Sequence, residues 1–177
     1  MKVFSIIGVS GSGKTTTVEA VVAELRRRNW TVGTVKDIHF QGFALDREGT
    51  NTFRHKTAGA QLVTARGMFE TDLMFPTRLA LADVLAHYHH DYVVLEGTLD
   101  FYGPGIIAAG SEQEIDERRR DAIFAVVGRI ANRLTEYRGL PVIDVLTNPK
   151  ALVDLIENSV LPWNGQEQWL KSELGHE

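Results

Sequence analysis

A glycine-rich segment near the N-terminus, residues 8–15, reads Gly-Val-Ser-Gly-Ser-Gly-Lys-Thr. It fits the P-loop pattern G-x-x-x-x-G-K-[ST], and we call residues 8–15 the P-loop. Glycines in this pattern let successive backbone N–H groups turn towards phosphate oxygens. Lys14 supplies a positive charge for the β- and γ-phosphates, and Thr15 supplies a hydroxyl ligand for Mg²⁺. The segment therefore predicts a nucleoside triphosphate site, whose phosphate-binding residues are Gly8, Ser10, Gly11, Ser12, Gly13, Lys14, Thr15 and Thr16.

The elements on either side of this segment are those that a phosphate site requires. The apolar run 2–7 predicts a buried strand, and the apolar residues after the loop recur at helical spacing. The N-terminus of that helix adds its dipole and its unpaired N–H groups to the anion site. Residues 31–36 predict a second strand, so the three elements form a parallel, right-handed βαβ unit.

Three polar residues follow the second predicted strand: Lys36, Asp37 and His39. Ligands of open α/β sheets bind beyond the carboxyl ends of the strands. We therefore expect Lys36 and His39 to contact phosphate or a second ligand, and Asp37 to be a candidate Mg²⁺ ligand. The alternative is that these are ordinary surface residues.

Glu96 ends the buried run 92–97, where a P-loop protein needs an acid to hold Mg²⁺ or its water. Asp46 lies in a long loop, 40–52, and is a second candidate for the metal, although a solvated loop acid explains it equally well. Arg54 follows in a short helix and is a candidate for stabilising transition-state charge, with a surface cation as the alternative. The predicted catalytic residues are thus Lys14, Glu96 and Arg54, and the predicted metal ligands are Thr15, Asp37, Asp46 and Glu96.

The composition of the chain limits which classes of function and which locations are compatible with it. The chain has 177 residues, a formal net charge of −4 and no cysteine, which argues against a dedicated nucleic-acid binder and excludes disulfides and thiolate metal sites. We find no signal peptide and no apolar run long enough for a bilayer, so we expect a cytoplasmic protein without membrane contact. Residues 1–162 are predicted to form a nucleotide-binding domain, and residues 163–177 a C-terminal tail.

The rest of the chain alternates between strand and helix patterns. This alternation predicts a doubly wound α/β fold of the P-loop type, with a mainly parallel sheet and helices on both faces. Further strands are expected at 61–64, 68–75, 105–109, 122–127 and 140–145. Further helices are expected at 53–56, 76–88, 112–120 and 128–137, and a last one begins at 147–149.

Five segments together resemble the molybdopterin-guanine dinucleotide biosynthesis protein B (MobB) family. They cover about the first 100 residues, and their ordered combination is more specific than the glycine-rich loop alone. The segments are the loop 8–16, Val-Lys-Asp-Ile-His at 35–39, the loop around Asp46 and Gly49, Phe-Arg-His-Lys-Thr-Ala-Gly-Ala at 53–60, and Val-Leu-Glu-Gly at 94–97.

The resemblance implies a GTP-binding protein, often a homodimer, that assists the guanylyltransferase joining GMP to molybdopterin. It also implies that Lys14, Thr15, Asp46 and Glu96 take the family's phosphate and Mg²⁺ positions. The sequence departs from the family pattern at 37, at 49–52 and at 98–100, where Thr-Leu-Asp replaces the common Phe-Lys. These departures lie at the face where a second ligand, molybdopterin or its guanine dinucleotide, would bind.

The resulting hypothesis is a GTP-binding protein with slow or assisted hydrolysis that acts in molybdenum cofactor synthesis. Two other classes stay open on the residues alone. One is an ATP-dependent small-molecule kinase or ligase, and the other is a non-catalytic carrier or adaptor. No residue motif selects the base, since Thr-Asn-Pro-Lys at 147–150 is better explained as a helix start.

Overall fold

The computed structural model describes residues 1–165 and 169–170. Its strands are β1 (Lys2–Ile7), β2 (Val32–Lys36), β3 (Val63–Arg66), β4 (Thr71–Met74), β5 (Tyr92–Glu96), β6 (Gly105–Ala108), β7 (Ile123–Val127), β8 (Glu136–Tyr137) and β9 (Leu140–Pro141). Its helices are α1 (Lys14–Arg27), α2 (Asn51–Thr57), α3 (Leu81–Ala86), α4 (Glu112–Asp116) and α5 (Pro149–Ser159), with a 3₁₀ turn at Arg129–Asn132.

Five parallel strands form the central sheet, in the order β2-β5-β1-β6-β7. The predicted βαβ unit is present as parallel strands, but β5 lies between β1 and β2. In this register Ile6 and Lys36 both lie opposite Glu96. All five strands therefore end at one edge of the sheet, and Glu96 lies there between the ends of β2 and β1.

Helices cover both faces of the sheet, so the predicted doubly wound α/β fold is confirmed. On one face, α1 and α5 bury the side chains of Phe4, Ile6 and Val94. On the other face, α3 packs against β5, and α4 and the 3₁₀ turn pack against β6 and β7. Burial on both faces explains why the central strands read as continuous apolar runs in the sequence.

The C-terminal turn of α1 is joined to α5 by ion pairs. Arg28 contacts Glu24, Asp154 and Glu157 at 2.7–2.9 Å, and Arg27 forms a second pair with Glu24. The hydrogen bond from Arg27, aided by that from Arg28 and opposed by burial, lowers the pKa of Glu24 to about 2. The basic run at 26–28 therefore has a structural role at this helix end.

The helix predicted at 128–137 is wrong. Only Arg129–Asn132 forms a single 3₁₀ turn, and β8 pairs with β9 in a short antiparallel hairpin. The two residues between these strands, Arg138 and Gly139, have φ values of 48° and 81°. Two consecutive positive φ angles are typical of the tight turns that join hairpin strands. A right-handed helix cannot continue through them, because its φ angles are negative.

The strand predicted at 140–145 is also wrong beyond its first two residues. Pro141 lacks an N–H group, and beyond it Ile143 donates to the carbonyl of Val126. The carboxylate of Asp144 then accepts hydrogen bonds from Leu146 and Thr147. This local turn competes with strand pairing and leads the chain into α5.

Two predicted helices are shorter than expected, whereas the predicted start of the last helix is confirmed. Ala80 is extended at the start of α3, so the helix covers Leu81–Ala86 and not 76–88. α4 ends at Asp116 and not at 120. The side chain of Arg118 donates to the carbonyl of Glu114 and so satisfies a carbonyl of the last turn. The side chains of Thr50 and Asn148 cap α2 and α5. No helix in the described part of the chain is long and apolar enough to cross a bilayer.

The described residues of the predicted tail contact the domain. Trp163 and Trp169 pack against each other and against Phe101, with ring centroids 5.8–6.4 Å apart. The N–H of Tyr102 donates to the carbonyl of Trp169, and a bridge joins Phe101 to Leu170. The rest of the predicted tail, 166–168 and 171–177, lies outside the described residues, and the boundary at 162 stays a prediction.

Candidate nucleotide site and adjoining cavity

The glycine-rich loop connects the carboxyl end of β1 to the first turn of α1. Gly8 has a φ of 155°, and a Cβ there would lie 2.2 Å from the carbonyl oxygen of Ala108. Any side chain at this position would therefore push the loop away from β6. The first turn of α1 leaves backbone N–H groups without partners in the helix, which suits an anion.

Gly128 supports the loop from β7, and the sequence pattern did not identify it as part of the site. Its φ is 92°, and a Cβ there would lie 2.5 Å from the carbonyl oxygen of Ser12 and 2.7 Å from that of Ala109. The only available signal was a glycine directly after a buried strand, which we interpreted as the start of a helix. The loop is thus packed against the ends of both β6 and β7.

Lys14 lies across the loop. Its ammonium donates to the carbonyl oxygens of Gly8 at 2.9 Å and Val9 at 2.7 Å. Burial lowers the pKa of Lys14, and the nearby Glu96 carboxylate opposes this shift. Within the loop, Ser12 is buried, whereas Ser10, Gly11, Thr15 and Thr16 are exposed.

Glu96 joins the P-loop to the end of β2. Its Oε1 accepts hydrogen bonds from Thr15 Oγ1 at 2.7 Å and from Lys36 Nζ at 2.5 Å. Glu96 is only 6% exposed. Burial opposes its ionisation, but the bonds from Lys36 and Thr15 outweigh burial and lower the pKa of Glu96. A hydroxyl and a carboxylate oxygen this close form the hard oxygen pair that Mg²⁺ prefers.

The ends of β2 and β5 are held together beyond this contact. The N–H of Asp37 donates to the carbonyl of Glu96 at 3.0 Å, and His39 Nε2 lies 3.0 Å from the carbonyl oxygen of Gly97. The Asp37 carboxylate accepts a hydrogen bond from Arg78 at 3.1 Å. Asp37 is therefore paired with a cation at the edge of the site.

Asp46 and Arg54 lie outside the hydrogen bonds that surround Glu96. Asp46 Oδ1 accepts from Thr50 and Thr52, each at 2.8 Å, and its other oxygen lies 3.7 Å from Lys56. Burial opposes its ionisation, but these hydrogen bonds lower the pKa of Asp46. Arg54 is exposed on α2, with no side-chain hydrogen bond or ion pair to another described residue.

The predicted site residues thus separate into two groups. Thr15, Lys36 and Glu96 form one hydrogen-bond network, with Lys14 nearby on the loop carbonyls, whereas Asp46 organises its own loop. In the part of the chain that the structure describes, no group of three or more His, Asp or Glu side chains could hold a metal. A metal at Thr15 and Glu96 would therefore need further oxygens from phosphate or water.

A cavity of about 1010 Å³ adjoins this network on the side of β2. Its wall combines the loop after β2, the segment after β4 and the residues after β5. The contributing residues include Lys36, His39, Phe40, Phe43, Phe75, Arg78, Thr98 and Asp100. The family resemblance placed positions 98–100 at the face of a second ligand, whereas nothing in the sequence indicated Arg78, because only the fold brings it beside them.

Comparison with known proteins supports one family. The family model of molybdopterin guanine dinucleotide synthesis protein B (MobB) matches residues 3–129. A probable molybdopterin-guanine dinucleotide biosynthesis adapter protein from Bacillus subtilis is 26% identical over 79% of this chain and 83% of its own length. A molybdopterin-guanine dinucleotide biosynthesis adapter protein from Haemophilus influenzae is 34% identical over 63% of this chain and 68% of its own.

The fold is also shared with a solved structure. The crystal structure of Bacillus subtilis MobB superposes with a TM-score of 0.75 at 21% sequence identity. The match covers 92% of this chain and 100% of the other. At this identity the likeness concerns the fold alone.

Proposed function

The chain belongs to the molybdopterin guanine dinucleotide synthesis protein B (MobB) family, and on this premise we propose that it binds GTP with Mg²⁺ and acts as an adapter in the synthesis of molybdopterin guanine dinucleotide. The observation that carries the nucleotide assignment is the contact of Thr15 with Glu96 beside Lys14. The assignment to this synthesis follows the names of the relatives. Guanine as the base rests on the family resemblance.

Each residue has a defined part in the proposed complex. The loop N–H groups and the first turn of α1 bind the phosphates, and Lys14 exchanges its two carbonyl partners for β- and γ-phosphate oxygens. Thr15 and Glu96 would hold Mg²⁺, which when bound neutralises phosphate charge. Lys36 is displaced from Glu96 and becomes available to a phosphate oxygen.

Hydrolysis in this proposal is slow, or depends on a partner. Both Thr15 and Lys36 donate to Glu96, so the carboxylate serves as an acceptor that positions groups. Arg54 is exposed and is proposed to stabilise phosphate charge if α2 moves towards the loop. The name adapter, given to the relatives, favours nucleotide binding over rapid turnover as the property that matters.

The proposed partners follow from the same role. They are a second copy of the chain, molybdopterin or its guanine dinucleotide, and the guanylyltransferase of the pathway. The proposed location is the cytoplasm, where such a pathway has its GTP. Asp37, Asp46 and His39 are proposed to act at the edge of the site, through the metal's water shell or a second ligand.

Calorimetric titration of GTP in the presence of Mg²⁺ tests the nucleotide site. Lys14→Ala should weaken binding by roughly 10- to 100-fold, because hydrogen bonds to charged groups contribute about 1.5–3 kcal/mol. Lys150→Ala is the matched control, since Lys150 is exposed and its carbonyl contacts Arg28 at the opposite end of α1. The control should bind GTP like the parent.

Two results would contradict the proposal. Equal GTP affinity of Lys14→Ala and the parent would remove the P-loop assignment. Preference for ATP, or stoichiometric phosphoryl transfer to an acceptor, would replace the GTP-binding adapter with a kinase or ligase.

A further inference from the structure

We propose that the segment after α5 keeps one wall of the cavity beside the P-loop in position. Its described residues, 162–165 and 169–170, are called the strap, and residues 97–104, which join β5 to β6, are called the crossover loop. In this proposal the tryptophans of the strap hold the crossover loop, which forms the cavity wall after β5. The family model ends at residue 129, so the strap lies outside the region that it matches, and the proposed function gives it no role.

The crossover loop has little structure of its own. Parallel strands are usually joined by about a dozen residues or more, often as a helix, whereas this connection, described in full, is short and has no helix. In the described part of the chain, its backbone hydrogen bonds run to β1 and to the strap, and none joins two residues of the loop. The position of the loop therefore depends on its neighbours.

The polar side chains at the start of the crossover loop do not hold it. Among the described residues, Thr98 Oγ1 and Asp100 Oδ1 are buried without a hydrogen-bond partner. Asp100 Oδ2 lies 3.9 Å from the exposed guanidinium of Arg78, and an exposed pair of this kind contributes little to stability. Buried polar atoms without partners disfavour this conformation, so contacts elsewhere must stabilise it.

The stabilising contacts are those of Phe101, the residue directly after Asp100. Its side chain is fully buried in an apolar cluster formed by β1, α3 and β5. The strap covers this cluster, because the rings of Trp163 and Trp169 lie 6.4 Å and 6.1 Å from the ring of Phe101. A bridge also joins Phe101 to Leu170. The ring of Phe101 is thus packed between the sheet and the strap.

Gly103 shows how closely the strap fits against the crossover loop. A Cβ at this position would lie 2.8 Å from the ring of Trp169 and 2.6 Å from the ring of Phe101. One residue earlier, the N–H of Tyr102 donates to the carbonyl of Trp169 at 2.6 Å. A side chain at position 103 would therefore push the strap away from the loop.

The strap is attached at the amino end of β1, away from the P-loop. The N–H of Trp163 donates to the carbonyl of Met1 at 2.8 Å, and a bridge joins Pro162 to Lys2. Glu96, in contrast, is held by strand pairing, since β5 lies between β1 and β2. Release of the crossover loop from the strap would therefore open the cavity wall and leave the nucleotide site intact.

Thiol reactivity tests the proposal, because the chain has no cysteine of its own. Thr98→Cys places a single thiol at a position that is 2% exposed, where a maleimide should react slowly. Trp169→Ala in the same protein should speed this reaction roughly tenfold or more, since the crossover loop then opens locally. Gly103→Ala, which acts on the same contact from the side of the loop, should also speed it.

Matched controls separate local opening from a general loss of stability. Trp30→Ala removes the tryptophan outside the strap, which packs on Tyr92, and should leave the rate at Thr98→Cys unchanged. Thr17→Cys places the thiol in α1 at a position that is 0% exposed, and its rate should change by less than about twofold in Trp169→Ala. Trp169→Phe keeps an aromatic ring, so Thr98→Cys should stay slow in that variant.

If Thr98→Cys fails to fold, amide hydrogen exchange in the crossover loop replaces the thiol measurement. Exchange in residues 98–102 should then be faster in Trp169→Ala than in the parent, and unchanged in Trp30→Ala. Exchange that is equally slow in both variants would contradict the proposal.

Three results would overturn the inference. The first is a thiol at Thr98→Cys that stays unreactive in both Trp169→Ala and Gly103→Ala. The second is equal acceleration at Thr98→Cys and Thr17→Cys, since the strap would then stabilise the whole domain. The third is a loss of GTP affinity in Trp169→Ala, measured by calorimetry, since the strap would then support the nucleotide site. Failure of the proposed function is distinguishable, because it is measured as the GTP affinity of Lys14→Ala.

Discussion

The two sides of the sheet edge differ in how they are built. On the β6–β7 side, backbone atoms and glycines form the contacts, with Gly8 and Gly128 fitted against carbonyl oxygens. On the β2 side, side-chain ion pairs and loops form the cavity, as in the contacts of Arg78 with Asp37 and Asp100. The first side depends on close packing, and the second on charge and exposed loops.

This difference indicates which parts of the site tolerate change. Interiors are packed densely, so one added methyl group at a glycine contact affects the whole loop. An exposed ion pair contributes little to stability, so residues on the β2 side can be exchanged with small structural effects. We therefore expect few substitutions on the β6–β7 side to be compatible with phosphate binding. Substitutions on the β2 side, in contrast, can change which second ligand is bound. Four substitutions test this contrast.

The largest expected effect is that of Gly128→Ala. The added methyl group would overlap the carbonyl oxygen of Ser12, at a residue with a φ of 92°. Its φ of 92° and ψ of −164° form a combination that is confined almost entirely to glycine, and this strain together with overpacking is expected to lower the free energy of unfolding by about 2–6 kcal/mol. Urea denaturation measures the loss, and GTP titration should show a weakened site.

Gly139→Ala is the matched control for Gly128→Ala. Gly139 has a similar φ of 81°, but nothing lies within 4 Å of the added Cβ. It should lose only the left-handed cost of about 1–2 kcal/mol and keep GTP binding. Equal losses in the two variants would show that packing of the P-loop against β7 contributes nothing.

Glu96→Gln should have the next largest effect. The amide keeps the shape of the side chain but removes the charge that holds Lys36 and would hold Mg²⁺. We expect the Mg²⁺-dependent part of GTP affinity to fall by roughly tenfold or more, since charged hydrogen bonds exceed neutral ones in strength. Titrations with Mg²⁺ and with EDTA measure it, and an unchanged Mg²⁺ dependence would exclude Glu96 as the metal ligand.

Lys36→Met should change the pH dependence of stability. The folded-state pKa of Glu96 is lowered, so its contribution to stability is present above its unfolded pKa, about 4.3, and is lost as pH falls through the folded value. Without Lys36, burial remains and the pKa of Glu96 should rise. The variant should therefore lose less stability than the parent between about pH 5 and pH 3.

Carboxyl carbon NMR shifts of Glu96, followed through the same pH range, report the pKa of that residue directly. Lys56→Met is a suitable comparison, since Lys56 pairs with Asp46 and not with Glu96. A Glu96 titration that is the same in Lys36→Met and the parent would show that the ammonium does not stabilise the carboxylate.

Arg78→Ala should have the smallest effect on the fold. Its side chain is 61% exposed, and exposed ion pairs contribute about 0–1 kcal/mol. Thermal unfolding and GTP affinity should therefore stay close to the parent values. A loss as large as that of Gly128→Ala would mean that the β2 side is as rigidly built as the β7 side.

The sequence predicted the parts of the molecule whose signals are local. Buried runs identify β1 and β5, and the glycine spacing identifies the loop between β1 and α1 because phosphate binding requires those residue types in that order. The start of the last helix is equally local, since Asn148 bonds to an N–H group three residues away. The position of Glu96 at the sheet edge was predicted because this residue lies at the end of a buried strand.

The remaining features depend on contacts distant in the chain. The run after Pro141 has strand-forming residues, yet it only follows the edge of β7 and turns at Asp144. Gly128 supports the P-loop through atoms more than 100 residues away. The cavity combines three segments that no periodicity relates. Strand ends and the family resemblance indicated Lys36, His39 and positions 98–100, but Arg78 could be found only from the structure.

The ion pairs of Arg28 have a consequence for amide hydrogen exchange along α1. They hold the last turn of the helix to Asp154 and Glu157 of α5, far from the phosphate site. Local opening of α1 is therefore confined to its first turns, where the N–H groups await a ligand. GTP should slow exchange in those first turns and leave the rates near Arg28 unchanged, so the helix responds to nucleotide at one end only.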